Sequence, residues 1–173
     1  IHARLVERIY AERRPNNYLI VESATQQLAL CRDSQCLAHY SISTGANGLG
    51  GENNSFKTPS GLHQIADKIG AGAVAGLLFK SRFAQPLCAT IETRPISTGA
   101  DTITSRILRL DGLEPGVNKG GNCDSYERFI YIHGTAEEGL LGQAVSHGCI
   151  RMSNQAVIEL FELVQERALL LVV

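Results

Sequence analysis

Along most of this 173-residue chain, short β-favouring runs alternate with stretches rich in glycine, proline and asparagine, a punctuation that restricts the chain to folds built on sheet. Tyr18 to Val21, Gln27 to Cys31 and Leu37 to Ser43 follow one another with polar turns between, the second turn falling at Asp33-Ser34-Gln35. The first third therefore reads as an antiparallel meander. Gly45 to Ser55 holds four glycines and three asparagines in eleven residues and is a loop. Its Gly48-Leu49-Gly50-Gly51 lacks the lysine and following helix of a phosphate loop. Thr58-Pro59-Ser60-Gly61 turns the chain into a strand over Leu62 to Ala66, and Ile103 to Leu110 alternates as a strand before Asp111-Gly112.

Helical spacing is strongest near the two ends. Leu5, Val6, Ile9 and Tyr10 form an apolar stripe opposite Arg4, Glu7, Arg8, Glu12 and Arg13 until Arg14-Pro15 breaks it, which makes residues 1–14 an N-terminal helical extension. Ser153 or Asn154 caps a second helix whose Val157, Ile158, Phe161 and Val164 face the core, and Ala168 to Val173 follows as a buried strand. Gly70 to Phe83 reads as a short helix or ordered lid, and Pro86 to Asp101 as a loop with one strand, so residues 70–101 form a candidate capping insertion. Gly116, Gly120 and Gly121 mark Leu113 to Asp124 as loop. Phe129 to His133 is a compact strand with Tyr131 and His133 on one face and Ile130 and Ile132 on the other, placing His133 at its end. Thr135 caps a helical turn running to Leu141. Length and an ordinary 44% hydrophobic content suit one domain spanning residues 1–173.

Charge narrows the partners. Sixteen basic residues against 17 acidic give a net charge of -1, with no basic excess to attract nucleic acid. No apolar run approaches the roughly 20 residues of a membrane span. The first residues lack the basic-then-apolar pattern of a secretory signal, and the five cysteines, an odd number without regular spacing, fit a reducing compartment. A cytoplasmic location is expected, with a periplasmic one as the alternative if a signal has been removed before Ile1.

One constellation carries chemistry. Ser146-His147-Gly148-Cys149-Ile150-Arg151 places a thiol sixteen residues after His133, which sits in Tyr131-Ile132-His133-Gly134. A free thiol, with a pKa of about 8.5, is mostly protonated at neutral pH and needs a base to become a nucleophile. Cys149 supplies the sulfur, His133 the base, and the backbone amides of His147, Gly148 and Cys149 an oxyanion site, with Gly148 allowing close backbone approach. His147 competes with His133 for the base role; it otherwise holds the turn or touches substrate. Cys149 is set just before a helix N-terminus. Cys31, Cys36, Cys88 and Cys123 read as packing residues, and His2, His39 and His63 as surface or packing residues.

These motifs resemble the signature of the L,D-transpeptidase catalytic domain, the YkuD-like family. Tyr18 to Gly45 is similar to that family's opening strands, and Lys57-Thr58-Pro59-Ser60-Gly61 to its Thr-Pro-x-Gly turn. The resemblance implies a mostly β fold with peripheral helices (α+β), a β-sandwich or partly closed barrel, and a cysteine enzyme without cofactor or metal. It implies attack on the carbonyl of a diacid residue in a peptidoglycan stem peptide, loss of D-alanine and a thioester at Cys149. His133 is then the base, the Gly134 carbonyl orients it, and Ser146, His147 and Gly148 shape the turn. Arg151 stands where some members carry asparagine, and its guanidinium suits a substrate carboxylate; Tyr131 joins it as a substrate-binding residue.

The acceptor of the acyl group separates two expectations. Compact members resembling this chain trim tetrapeptides or muropeptides to tripeptides with water, an L,D-carboxypeptidase role in wall recycling. The alternative is a periplasmic cross-linking transpeptidase. The resemblance also brings carbapenems into view as compounds that acylate Cys149. From other classes come a zinc site using His133, His147 and Cys149, whose spacing fits no familiar zinc pattern, and a non-catalytic module binding wall fragments.

Overall fold

The computed structural model describes residues 17–33 and 35–173; the helical extension expected over 1–14 lies outside them, as does Ser34 of the expected hairpin tip. Strands β1 (Tyr18–Glu22), β2 (Gln27–Arg32) and β3 (Gln35–Ser43) form an antiparallel meander. Seven more follow: β4 (Gly61–Ile69), β5 (Leu77–Lys80), β6 (Phe83–Cys88), β7 (Ile103–Gly112), β8 (Tyr131–Thr135), β9 (Ile150–Met152) and β10 (Leu169–Val172). They make one mixed sheet in the order β4-β10-β1-β2-β3-β9-β8-β7-β5-β6. Because β4 also pairs with β7, the strands from β4 round to β7 close into a barrel and the β5–β6 hairpin projects from it. The mostly β architecture is the one expected.

Alternation along each strand divides the core. Leu19 and Val21 of β1, Leu170 and Val172 of β10, and Ile132 of β8 join the main cluster. Tyr18, Ile20, Leu169 and Leu171 point the other way, into a second cluster with Leu62 and Cys31. The helix α1 (Asn154–Leu163) covers the main cluster with Val157, Leu160 and Phe161. Ser153 caps it, accepting a hydrogen bond from the Ala156 amide at 3.2 Å, and it ends at Leu163, with Val164, expected within the helix, as its C-cap.

Strand β7 serves two neighbours. Thr104 pairs with Leu78 of β5, whereas Ile107 to Gly112 pair with Ile69 to His63 of β4. Ser105, at φ 63°, lies in the irregularity between the two halves and breaks the regular register there. That bend lets the hairpin leave the barrel.

Four local expectations need correction. Gly70 to Phe83 is no helix: its later part forms the β5–β6 hairpin, and Pro86 is tolerated because β6 is the sheet's edge strand. Phe129 and Ile130 precede β8, so His133 sits mid-strand rather than at its end. Thr135 closes β8, and the turn after it is a 3₁₀ segment, Glu138–Leu140, entered through Glu137. Strand β9 intervenes between Cys149 and α1, so the thiol does not lie immediately before a helix N-terminus.

Candidate active site

Strands β8 and β9 run parallel, with Ile132 opposite Ile150 and His133 opposite Arg151. Cys149, one residue before β9, falls beside Tyr131, which makes it a diagonal neighbour of His133 at the about 7–8 Å backbone spacing that side chains can bridge. Tyr131 packs with Phe79 and Ile107 in a third apolar cluster, and Cys149 lies against it. Ile130 and Ile132 go to the main core, as the two-residue period requires.

The turn carrying Cys149 is tied down from several directions. The Ser146 amide donates to Thr44 O and the Ala46 amide to Ser146 O, both at 2.9 Å. Fully buried Thr58, from the Thr-Pro-Ser-Gly turn, accepts from the Gly45 amide at 2.8 Å and donates to Gly148 O at 2.9 Å. Ser146 Oγ donates to Cys149 O and accepts from the Gly148 amide at 3.1 Å. Gly148 has φ +117°, and a Cβ there would stand 3.0 Å from Lys57 O, so only glycine fits without strain. Of the three amides expected to bind an oxyanion, that of Gly148 is thus engaged by Ser146 and that of His147 by Asp101 Oδ2 at 3.2 Å. Among the described residues, the Cys149 amide is the one of the three with no protein acceptor.

His133 is buried, and its Nδ1 lies 2.7 Å from Gly134 O. A carbonyl can only accept, so the proton sits on Nδ1 and the lone pair on Nε2. Burial holds this imidazole below its usual range, against the opposing pull of the Asp101 carboxylate and the Gly134 carbonyl. Burial also pushes the Cys149 thiol up to about 12, although a hydrogen bond from the Tyr131 backbone and the charges of Arg151 and Arg128 favour its thiolate. At rest the pair is a neutral thiol and a neutral imidazole. The thiol donates to Phe129 O at 3.5 Å rather than to His133, so the proton must be handed over when substrate arrives.

Arg151 borders a cavity, but its guanidinium is engaged by two carboxylates. Its Nη1 lies 2.9 Å from Glu137 Oε2 and its Nη2 2.8 Å from Asp101 Oδ1, with the guanidinium 4% exposed. The carboxylate-reading role expected of it is thereby taken up by two internal carboxylates. Asp101 comes from the expected insertion, and its Oδ2 also stands 3.3 Å from Nδ1 of exposed His147. The strap leading to Asp101 is pinned through Glu137, which accepts from the Thr98 amide and from the hydroxyls of Ser97 and Thr98. A cavity of about 310 Å³ opens between this strap, Ala46, Val145 and His147.

The L,D-transpeptidase catalytic domain family, YkuD, matches residues 16–173. The chain belongs to that family. "Putative L,D-transpeptidase YqjB" of Bacillus subtilis (strain 168) is 25% identical over 151 residues, which cover 84% of this chain and 64% of that protein. Among solved structures, an L,D-transpeptidase from Mycobacterium smegmatis superposes with a TM-score of 0.57 at 18% identity, over 92% of this chain and 59% of that one. L,D-transpeptidase 3 from Mycobacterium tuberculosis, in complex with a faropenem-derived adduct, gives 0.57 at 14% identity over 91% and 60%. LD transpeptidase LdtMt1, in complex with imipenem, gives 0.55 at 18% identity over 92% and 59%. These structures share the fold. The chain spans less than two thirds of the length of each of these relatives.

In this L,D-transpeptidase domain the two motifs lie on the adjacent strands β8 and β9 and the turn before β9, while several neighbours have no local signature. Asn154, at the start of α1, accepts from the hydroxyls of Thr104 and Ser105 and donates to Thr135 O, bracing the strand that holds His133. Asn154 Oδ1 stands 3.0 Å from where a Cβ on Gly134 would lie, and Thr104 O 2.7 Å, so residue 134 must be small. Arg128 donates to the carbonyls of Gly51 and Lys57, both at 2.8 Å, and fixes the loop under Gly148. Of the four other cysteines only Cys31 is buried; Cys36 and Cys88 are exposed, which corrects their reading as packing residues. His63 is fully buried, whereas His39 is exposed. Among the described residues no three His, Cys, Asp or Glu side chains gather into a metal-holding group, and no helix is long and apolar enough to cross a membrane.

Proposed function

We propose that this protein is a cysteine acyl-transfer enzyme of peptidoglycan stem peptides, working as an L,D-carboxypeptidase that releases terminal D-alanine from tetrapeptides. His133 Nε2 takes the thiol proton as Cys149 Sγ bonds to the carbonyl carbon of the third stem residue. The Cys149 amide faces the developing oxyanion. Collapse breaks the bond to D-alanine, whose amine leaves with the proton held on His133, and a thioester remains. Water then gives a proton to His133 and attacks the thioester, and the thiol regains its proton.

The observation that carries the choice of water is the insertion, residues 70–101, which walls the motif on two sides. Its hairpin supplies Phe79, packed with Tyr131 and Cys149, and its strap brings Asp101 onto His147 and Arg151. The strap also borders a cavity of about 310 Å³ on the His147 and Arg151 side of the motif, at the small end for one ligand. A cross-linking reading is favoured by the transferase names of the relatives. Incubation with a disaccharide tetrapeptide separates them by mass: tripeptide plus D-alanine supports trimming, a dimer supports cross-linking, and neither product overturns both. Cys149→Ala must abolish turnover.

Two further parts of the reading have their own tests. The exposed free thiol of Cys88 suits a reducing compartment, so we place the protein in the cytoplasm and expect it to fractionate there; recovery from the periplasm refutes that placement. Meropenem incubated with the protein forms an adduct visible in the intact mass, and Cys149→Ser abolishes it.

A further inference from the structure

We propose that Arg82, at the tip of the β5–β6 hairpin, reads a carboxylate of the substrate beside the reacting thiol; this rests on the stem-peptide function above. A carboxylate-bearing peptide needs a cation near Cys149, and the surrounding guanidiniums can be taken in turn. Arg151 is held by Asp101 and Glu137. Arg109, buried, pairs with Asp67 at 3.6 Å and donates to Tyr126 O at 2.7 Å. Arg128 is saturated by the carbonyls of Gly50, Gly51 and Lys57. Arg82 alone of the four has neither a carboxylate within ion-pair distance nor a set of carbonyls among the described residues.

Its placement is costly and specific. Lys80 pairs with Phe83, leaving Ser81 and Arg82 as a two-residue turn, and both have positive φ, 48° and 73°. Such a turn favours asparagine followed by glycine. Arginine in the second position is held over the Phe129 ring, 4.9 Å from its centroid, with Nη1 donating to Tyr131 Oη at 3.2 Å. Those two residues flank the sulfur: Phe129 O accepts from the Cys149 thiol, and the Tyr131 backbone amide hydrogen-bonds to it. The rest of the guanidinium fork is open to a ligand. Phe129, itself at φ 56° and 46% exposed, carries both the Arg82 and the Arg109 guanidinium 4.9 Å from its ring centroid and so fixes the charge beside the thiol.

Two carboxylates of the stem peptide fit this chemistry: the terminal one of D-alanine and the side-chain one of a diacid third residue. kcat/KM is measured for three synthetic tetrapeptides, one with both carboxylates free, one amidated at the C-terminus and one amidated at the third residue. Wild type should prefer the free acid over one of the amides, and that amide identifies the carboxylate. Arg82→Gln should lower kcat/KM for the free acid about ten- to a hundred-fold and erase the preference, at an unchanged thermal midpoint. Arg82→Lys should restore part of it, and Tyr131→Phe should weaken it without abolishing it. A preference intact in Arg82→Gln, a preference lost in Lys57→Gln instead, or no discrimination by wild type overturns this assignment alone. Absence of turnover of all three peptides by wild type overturns the stem-peptide reading and this one with it.

Discussion

His133 and Cys149 are set against ionisation by the same cause, loss of solvent, and the consequence is a pH profile. An imidazole held below about 6.5 is neutral at pH 7 and competent as a base, so the acid limb of kcat/KM lies below about 6.5; a limb above 7 refutes this state. A thiol raised to about 12 makes iodoacetamide alkylation of Cys149 climb with pH well beyond 9 instead of levelling near the value of a free cysteine. Gly148→Ala forces a β-carbon into a left-handed backbone and towards Lys57 O. It should cost about 1–3 kcal/mol, read as a fall of several degrees in thermal midpoint, together with at least tenfold loss of kcat. The two residues proposed to react were legible in the sequence because each sits in a short recognisable segment, Tyr131 to Gly134 and Ser146 to Arg151. Arg82, Asp101 and Asn154 were not, because each reaches the site from another element: Asp101 meets His147 across 46 residues and Asn154 meets Thr104 across 50.

Among elements, the strap before Asp101 and the hairpin before the strap do different work. Asp101 raises both His133 and Cys149 electrostatically while it anchors His147 and Arg151. Asp101→Asn should therefore lower the thiol pKa and quicken alkylation of Cys149 at pH 8, yet slow peptide turnover about tenfold because the turn is less firmly held. A variant that slows both reactions would make Asp101 a mere structural brace. Strands β1, β2, β3, β7 and β10 were readable because runs of alternating or continuous apolar residues leave little else possible, and α1 because its core positions repeat at helical spacing. The β5–β6 hairpin was not. A stretch of small residues before Leu77 imitates a helix, and a proline within β6 hides a strand that only an edge position permits.

For the molecule as a whole, buried histidines couple the fold to acidity. His63 is fully buried, with Nδ1 3.0 Å from Gly61 O and Nε2 3.0 Å from Ser125 Oγ, and burial lowers it from 6.5 to about 4. Above pH 6.5 neither the folded nor the unfolded chain protonates it, and its contribution is constant. As pH falls through 6.5 the unfolded chain binds a proton that the fold refuses, so stability declines until about pH 4, where the folded state protonates too. His63 alone accounts for on the order of 3 kcal/mol over that window, and His133 acts in the same sense. The depressed carboxyls of Asp124 and Glu137 add their loss at lower pH. Urea midpoints should drop steeply between pH 7 and 4.5; a flat profile contradicts the buried neutral imidazoles. Barrel closure has a temporal consequence as well. Strand β10 is wedged between β1 and β4, so during synthesis those two have no common neighbour until residue 172 has left the ribosome. A nascent chain with its thiol already translated therefore stays open-seamed until β10 is threaded home.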